Sequence, residues 1–187
     1  MELMDAIKGR RSIRKFQNRD VEKEKLNELF EAARLSPSAK NRQPWRFMVL
    51  RGNEKEHVAQ IMESWFQDET REIPRYSKSS RYTAGSIRQA SVLILVYRQW
   101  DAVWETGDIL SIGAALEHMC LRALELGLGT LWIRDTCYME QEICRYVGSG
   151  DLILTCALAV GYADEQPEAR PRMDCGDLML AFNGDKT

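Results

Sequence analysis

The sequence predicts one domain in which helices alternate with four main β-strands, a mixed α/β pattern. The chain has 187 residues, of which 44% are hydrophobic and 29% charged, and this is enough for one ordinary hydrophobic core. Four short apolar runs are typical of strands, and segments with helical apolar spacing separate them. No internal repeat, low-complexity tract or linker divides the chain, so residues 1–187 are expected to form a single domain.

The strands are predicted from runs of apolar and β-branched residues. These runs cover residues 45–51, 91–98, 128–133 and 152–162. The helices are predicted from apolar residues that recur at helical spacing. They cover residues 2–8, 20–35, 53–62, 109–126 and 139–147. Polar residues and glycines mark the predicted helix ends. The N-caps are Asp20, Asn53 and Asp108, and the C-terminal stops are Gly9 and Gly148.

Three segments have special patterns. Helix 109–126 is apolar nearly all round, which is typical of a helix that is buried or lies in an interface. Residues 65–82 mix aromatic and charged side chains without a period, and this predicts surface loops or short helices. The tail, residues 163–187, is polar with a late apolar patch at 178–182, and it can add a fifth strand.

Composition and charge argue against several function classes. A net charge of -2 without a basic excess argues against a nucleic-acid partner. Five cysteines with no C-x-x-C pair are typical of reduced thiols in a cytosolic protein, and they are predicted to be small core residues. Two histidines, His57 and His118, are too few for a zinc site or a histidine-based triad. Neither a secretory signal nor a membrane-spanning stretch is found, so a cytoplasmic protein without a membrane partner is expected.

Two clusters of cations are candidates for an anion site. Arg10, Arg11 and Arg14 surround the hydroxyl of Ser12, with Lys15 next to them. A second pair of arginines flanks a proline at 170–172. Guanidinium groups donate bidentate hydrogen bonds to phosphate. Each cluster taken alone is nevertheless more typical of a solvated basic surface.

The loop at 36–45 and the glycines at 127 and 129 carry weaker signals. Two prolines fix the loop, and its hydroxyl and amide groups could bind the polar edge of a heterocycle, although a capped turn explains it better. The glycine pair is not a dinucleotide fingerprint, because the third glycine is missing and the pair follows a helix.

Trp65, Trp100 and Trp104 lie in segments predicted to be irregular. Such tryptophans can form a lid over a planar ligand or pack in an interface, and the sequence leaves both open. His118, on the long apolar helix, is predicted to pack in the core or in an interface.

In their order and spacing, these motifs resemble the nitroreductase family of FMN-dependent oxidoreductases. The matching segments are residues 10–16, 36–45, 107–119, 127–133, 157–162 and 170–172. The resemblance implies an α+β fold, with a central, mostly antiparallel sheet surrounded by helices. It also implies an intertwined homodimer with two FMN sites at the interface, in which the tail at 163–187 packs on the partner subunit.

The resemblance further implies a binding role for individual residues. Arg10, Ser12 and Arg172 are implied to hold the FMN phosphate, with Arg11 and Arg170 close by. Charge-assisted hydrogen bonds of this kind contribute roughly 1.5–3 kcal/mol each.

Other residues are implied to surround the flavin ring. Arg14 is implied to lie near N1 and O2, where a fixed cation raises the reduction potential. The backbone of Trp132, Ile133 and Arg134 is implied to approach N5. Many family members have a glycine-containing pair after this strand, whereas this chain has Arg134 followed by Asp135. These side chains are expected to narrow the substrate space or to alter the contacts of N5.

The loop at 36–45 is implied to contribute to the FMN site with residues of both subunits. Pro37, Ser38 and Ala39 are implied to come from the partner subunit, and Asn41 and Gln43 to lie near the polar edge of the flavin.

The implied activity is hydride transfer from NADH or NADPH through flavin N5 to a small-molecule acceptor, a nitroaromatic, a quinone or a similar compound, in a ping-pong cycle. No side chain need act as an acid or base, because the cofactor carries the chemistry. Two alternatives stay open. One is a flavin-dependent dehalogenase or flavin-cleaving relative, and the other is a non-catalytic FMN-binding or storage protein.

Overall fold

Six helices and four strands make up the computed structural model, which describes residues 1–72 and 82–180. The helices are α1 (Leu3–Gly9), α2 (Lys23–Arg34), α3 (Gly52–Gln67), α4 (Thr83–Gln89), α5 (Glu105–Glu125) and α6 (Glu140–Val147). The strands are β1 (Arg46–Leu50), β2 (Val92–Gln99), β3 (Gly129–Ile133) and β4 (Leu152–Gly161). Short 3-10 turns cover Ala39–Asn41, Asp135–Met139 and Cys175–Leu178.

The strands form one sheet in the order β1-β2-β4-β3, and every neighbouring pair is antiparallel. The two central strands, β2 and β4, are almost wholly buried, which explains their continuous apolar sequences. The antiparallel α+β architecture implied by the resemblance is therefore confirmed. All four predicted strands are present, with ends within a residue or so of those predicted.

Helices cover both faces of the sheet, and successive side chains of β2 alternate between them. Leu93 and Leu95 pack in a core with residues of α3, α4 and α6. Ile94 and Val96 pack in a second core with residues of α2 and α5. The sheet thus separates two apolar layers, and its β3 edge remains available to another segment.

That edge is occupied by the extended segment at residues 10–17. Ser12 forms a parallel bridge with Thr130, and the Ile13 N–H donates to the Thr130 carbonyl at 2.9 Å. Farther along, the Gln17 N–H donates to the Tyr162 carbonyl at 2.9 Å. Close approach requires glycine at 129, because a Cβ there would lie 2.8 Å from Cγ1 of Ile13.

A hydrogen-bond network ties the start of α2 to the ends of α5 and β4. Lys25 Nζ donates to the Leu126 carbonyl at 2.9 Å and to the Tyr162 hydroxyl at 2.8 Å. The Tyr162 hydroxyl donates to a carboxylate oxygen of Glu22 at 2.7 Å. The hydrogen bond from Tyr162, with the nearby Lys25 and Arg19, lowers the pKa of Glu22 from 4.5 to about 2.

The three predicted N-caps are wrong. Helix α2 begins later than predicted because the chain at Val21 is still extended, and its N–H donates to Ser91 Oγ at 2.9 Å. The predicted cap Asn53 lies inside α3, and Asp108 lies inside α5, where its buried carboxylate bonds a side chain instead of the helix end. Gly148 is a C-cap as predicted, with φ of 68°.

Residues 65–67 belong to a helix that is longer than predicted. Helix α3 continues to Gln67, and the part of the segment 65–82 at 73–81 lies outside the described residues. Helix α4 was not predicted, because a seven-residue helix is too short to show a clear period. Its C-terminal carbonyls at Ile87 and Arg88 accept hydrogen bonds from Lys55 Nζ.

Exposed side chains contradict two further predictions, a strand in the tail and a core position for every cysteine. The tail forms no strand over residues 163–180, of which 168–180 are exposed, and positions 181–182 of its apolar patch lie outside the described residues. Cys120 and Cys156 are buried, and burial raises their pKa values to about 11 and about 12, but Cys175 is exposed and not a core residue. No helix in the described ranges is long and apolar enough to span a membrane.

Replacing Gly129 with alanine is expected to destabilise the protein by about 1–3 kcal/mol, because the new methyl group overlaps Ile13 and must push the segment at 10–17 away. The free energy of unfolding from urea denaturation measures this. Gly85→Ala is the control, since a Cβ there meets nothing within 4 Å and alanine favours the helix. Equal stability of Gly129→Ala and wild type would refute the close approach.

The low pKa of Glu22 predicts a pH-dependent contribution to stability. A carboxylate whose pKa is lower in the folded state stabilises it above the unfolded pKa, near 4.5, and loses this effect as the pH falls toward 2. Glu22→Gln is therefore expected to lower Tm at pH 7, with a difference from wild type that shrinks between pH 5 and pH 2. Glu24→Gln, in the first turn of the same helix, controls for charge. A Tm difference independent of pH would contradict the assignment.

Candidate functional site

A cavity of about 640 Å³ opens where the end of α1 meets the tail, and it is lined largely by cations. The positively charged residues are Lys8, Arg10, Arg11, Arg14, Arg170 and Arg172, joined by the hydroxyl-bearing Ser12. Glu168 is its only carboxylate among the described residues. The cavity therefore concentrates positive charge in a chain whose net charge is -2. Such a site favours a multiply charged anion.

The backbone of residues 10–14 determines how these side chains are placed. The Arg10 N–H closes α1 by donating to the Ala6 carbonyl at 2.9 Å, and extended chain follows. Because side chains alternate along extended backbone, Ile13 points into the core while its neighbours Ser12 and Arg14 line the cavity.

Arg11 has a donor that nothing in the described chain satisfies. Its Nη1 donates to the carbonyls of Lys8 at 2.6 Å and Arg10 at 2.9 Å, which fixes the side chain. Its Nε is buried and has no hydrogen-bond partner among the described residues. A buried donor without a partner is costly, so an acceptor is expected at this point.

The tail reaches the same cavity because Glu165 anchors it. A carboxylate oxygen of Glu165 accepts hydrogen bonds from the backbone N–H groups of Arg14 and Lys15. The Asp164 N–H donates to the Lys15 carbonyl at 2.9 Å. Residues 167–172 then run along the cavity, which brings Arg170 and Arg172 to the cluster at 10–14 although about 160 positions separate them in sequence.

A second cavity, of about 460 Å³, lies beside the C-terminal end of β3. It is lined by Leu131, Trp132, Ile133, Arg134 and Asp135 from this region, by Tyr82, Thr83, Gly85, Ser86 and Gln89 at α4, and by Arg14 and Lys15. Arg14 lines both cavities, so the two are adjacent. Trp132 is exposed while Leu131 and Ile133 are buried, as alternation along β3 requires.

The candidate residues thus fall into two groups. The structure brings together Arg10, Arg11, Ser12, Arg14, Arg170 and Arg172 at the first cavity, and Arg14, Trp132, Ile133 and Arg134 at the second. The loop residues Pro37, Ser38, Ala39, Asn41 and Gln43 line neither of them. Their contribution from a partner subunit therefore stays a prediction.

The loop is held in a strained conformation. Lys40, Asn41 and Gln43 all have positive φ, between 48° and 55°, which is uncommon for residues with a Cβ. Arg42, between them, donates to the buried carboxylate of Asp108 at 3.1 and 3.2 Å. This bidentate pair attaches the loop to the first turn of α5.

The three tryptophans do not share a site. Trp65 stacks on Tyr138, with ring centroids 5.3 Å apart. Trp104 lies under the guanidinium of Arg42, and Trp100 lies near that of Arg98. These contacts test neither the lid nor the interface, so both stay predictions.

His118 is not packed in a core of the described chain. Its side chain is exposed, and its Nδ1 lies 2.6 Å from Ser36 Oγ. An interface position, the other prediction, remains a prediction.

Sequence reasoning missed the part of the second cavity that α4 provides, with Thr83, Ser86 and Gln89, and the contribution of Lys8 to the first. The sequence offered a signal for Lys8, since this residue lies only two positions before the cation cluster begins at Arg10. The α4 residues carried none, because their proximity to β3 depends on the tertiary fold.

An antiparallel sheet covered by helices, with two adjoining cavities near its β3 edge, is the arrangement to compare with known proteins. The model of the Nitroreductase family matches residues 7–162, which is most of the chain. The chain belongs to the nitroreductase family.

Individual relatives agree with this membership. A proposed NAD(P)H nitroreductase of Bacillus subtilis, YfhC, is 24% identical over 94% of this chain and 91% of its own length. An iodotyrosine deiodinase of Thermotoga neapolitana is 25% identical, with 97% of both chains covered. A proposed nitroreductase of Desulfovibrio desulfuricans, solved in complex with FMN, superposes with a TM-score of 0.77 at 25% identity and covers 97% of both chains. A 29% identical relative from Methanothermobacter thermautotrophicus is longer, and the match spans 60% of it.

Proposed function

We propose that this protein is an FMN-dependent oxidoreductase that takes hydride from NADH or NADPH and passes it to a small-molecule acceptor. The observation that carries the proposal is the cavity with six cations beside a second cavity at β3. Membership of the family and the FMN-bound relative from Desulfovibrio desulfuricans agree with it.

The first cavity fits a phosphate on its own chemistry. Its described lining has six positive side chains and one carboxylate, although Arg10 also pairs with Glu117 at 3.6 Å. The buried Arg11 Nε has no acceptor among the residues that the structure describes. Arg10, Ser12 and Arg172 would bind the phosphate oxygens, with Arg11 and Arg170 adding charge. Guanidinium–phosphate hydrogen bonds are charge-assisted and directional, so they fix the orientation of the ligand as well as its affinity.

The second cavity would then receive the flavin ring. Arg14 lines both cavities and would place its cation between the phosphate and the ring. When bound, FMN supplies the atom that accepts hydride from the nicotinamide and gives it to the acceptor. The backbone of Trp132, Ile133 and Arg134 would face that atom. Donor and acceptor would use the same space in turn, which gives a ping-pong order.

The complete site would require a homodimer. Exposed apolar side chains lie on α5 and in the tail, where Leu110 is 69% exposed and Met179 77%. Exposed apolar surface of this kind favours a protein partner. A second copy would cover it and would bring Pro37, Ser38, Ala39, Asn41 and Gln43 toward the flavin of its neighbour.

Reductive dehalogenation is a second candidate, because the iodotyrosine deiodinase of Thermotoga neapolitana matches the whole chain at an identity similar to that of the nitroreductase YfhC. It keeps the same cofactor site and changes the acceptor. A non-catalytic FMN-binding protein is the third candidate, and it predicts tight FMN without turnover.

A visible spectrum and rapid-mixing kinetics of the purified, FMN-loaded protein test the proposal. Bound flavin that is bleached rapidly by NADH or NADPH, and recoloured by a nitroaromatic or quinone, is the expected result. Iodide release from iodotyrosine in place of these reactions would favour the second candidate. Bound flavin that NAD(P)H does not reduce would favour the third, and absence of FMN binding would refute the proposal.

Arg10→Ala and Arg172→Ala are each expected to weaken FMN binding by roughly 10- to 150-fold, because each removes a charge-assisted hydrogen bond of about 1.5–3 kcal/mol. Fluorescence titration with FMN gives the dissociation constants. Arg145→Ala, on the exposed side of α6, removes the same charge away from both cavities and should leave the affinity unchanged. Unchanged affinity in both cavity variants would mean that the phosphate lies elsewhere.

Arg14→Gln is expected to lower the reduction potential of the bound flavin by tens of millivolts, because a cation near the ring stabilises the added negative charge. Spectroscopic titration against a reference dye of known potential measures the shift, and Arg145→Gln is again the control. A potential that stays the same or rises would contradict the position given to Arg14.

A further inference from the structure

We infer that Arg42 and Asp108 are positioning residues of the flavin site, and that their ion pair holds the loop at 36–43 in the conformation that the flavin of the partner subunit requires. The inference rests on the proposed function and deepens it, since neither residue lines the two cavities. Both act through the loop residues Asn41 and Gln43 instead of touching the cofactor.

The strained backbone of the loop is the first argument. Lys40, Asn41 and Gln43 have φ of 52°, 55° and 48°, in the left-handed region that residues with a Cβ disfavour. Such backbone persists only where the surrounding structure holds it, and it is concentrated at functional sites. The loop lines neither cavity of its own chain, so we expect the strained conformation to serve a second copy.

Contacts with one face of α5 are the second argument, and two of them hold the first half of the loop. Ser36 Oγ lies 2.6 Å from His118 Nδ1. The Ala39 N–H donates to Ser111 Oγ at 3.2 Å. The Ser111 hydroxyl donates its own hydrogen to the Gly107 carbonyl at 2.6 Å, which leaves its oxygen free to accept. Ser111 and His118 are seven positions apart, or about two helical turns, so they share a face.

The pair of Arg42 and Asp108 attaches the tip of the loop nearer the start of α5. Arg42 Nε and Nη2 donate to the two carboxylate oxygens of Asp108 at 3.1 and 3.2 Å. The guanidinium also reaches Asp101 at 3.1 Å, and its carbon lies 5.0 Å from the centre of the Trp104 ring. A planar guanidinium bound by two oxygens has a defined orientation, so the neighbouring loop residues are fixed as well.

The burial of Asp108 is the third argument. This residue is only 1% exposed and lies on a helix whose other buried residues are mostly apolar. A buried ion pair gains little net stability, because both groups lose their hydration, but it can select one conformation. The selected conformation holds two exposed amides together, with Gln43 Nε2 donating to Asn41 Oδ1 at 3.2 Å. Pre-organised amides lose less conformational entropy when they bind the polar edge of a ring.

The test compares the dissociation constants of FMN and riboflavin for the flavin-free protein. The two ligands share the ring and differ by the phosphate, so a loosened loop weakens both by the same factor. Asp108→Asn is expected to weaken each by about tenfold and to leave their ratio unchanged. Arg172→Ala, at the proposed phosphate site, should weaken FMN alone.

Asp101→Asn is the matched control, because it removes the same charge from the other carboxylate that Arg42 reaches. The pair with Asp108 remains in this variant. Its flavin affinity is expected to change by less than about twofold, since partly exposed ion pairs contribute little.

Ser111→Ala is a second variant that loosens the loop without placing a strain on α5. It removes the acceptor of the Ala39 N–H, and alanine is a better helix former than serine. Affinity for both flavins is expected to fall by about threefold. Visible circular dichroism of the folded, flavin-saturated protein adds a readout that a general loss of stability does not change. Ser111→Ala and Asp108→Asn should both alter this spectrum, and Asp101→Asn should not.

Substitutions of Arg42 test whether the two residues act as a pair. Arg42→Lys keeps a cation beside Asp108 and should retain more flavin affinity than Arg42→Met. The double variant Arg42→Met/Asp108→Asn should bind flavin no more weakly than the weaker single variant, because either change already breaks the pair. Additive losses would overturn the inference.

Wild-type affinity for both flavins in Asp108→Asn would overturn the inference and leave the proposed function intact. So would a loss for FMN alone, because the pair would then act on the phosphate, or an equal loss in Asp101→Asn. If Asp108→Asn does not fold, wild-type affinity and an unchanged flavin spectrum in Ser111→Ala would overturn it. A wild-type protein that binds no FMN would overturn the proposed function and the inference together.

Discussion

Docking of residues 10–17 against the edge of β3 is the constraint on which both cavities depend. The Ile13 N–H pairs with the Thr130 carbonyl, and Gly129 leaves room for the Ile13 side chain. Because side chains alternate along this anchored, extended segment, Ile13 enters the core while Ser12 and Arg14 line the first cavity. Without it, α1 and the tail would have no common surface on which to place their cations.

The electrostatics follow from that geometry. Several arginines elsewhere pair with carboxylates, as Arg88 does with Glu56 and Glu63, and such exposed pairs contribute little to stability. At the first cavity the described lining carries six cations and one carboxylate, Glu168, while Arg10 also pairs with Glu117 at 3.6 Å. The remaining excess of positive charge favours a ligand with more than one negative charge. The net charge of -2 is therefore unevenly distributed, with a local excess of positive charge at the first cavity. The absence of a histidine-based triad from the sequence fits a protein that depends on a bound cofactor for its chemistry.

Periodicity predicted the four strands because their apolar runs are long and central in the sheet, and it failed where tertiary contacts decide the outcome. Asp108 has the sequence of an N-cap, yet its carboxylate is buried against Arg42, and α5 begins a turn earlier. The cation clusters at 10–15 and 170–172 were each ambiguous in sequence, and only the anchor at Glu165 shows that they face one cavity. The α4 side of the second cavity depends on long-range packing that no local pattern records.

The central claim is that the first cavity binds the phosphate of a flavin mononucleotide. The most direct measurement compares the dissociation constants of FMN and riboflavin, which differ by that phosphate alone, for the refolded, flavin-free protein. The account predicts one FMN per chain, bound at least about 100-fold more tightly than riboflavin, because several charge-assisted hydrogen bonds are lost with the phosphate. Equal affinity for the two flavins, or binding of neither, would contradict it.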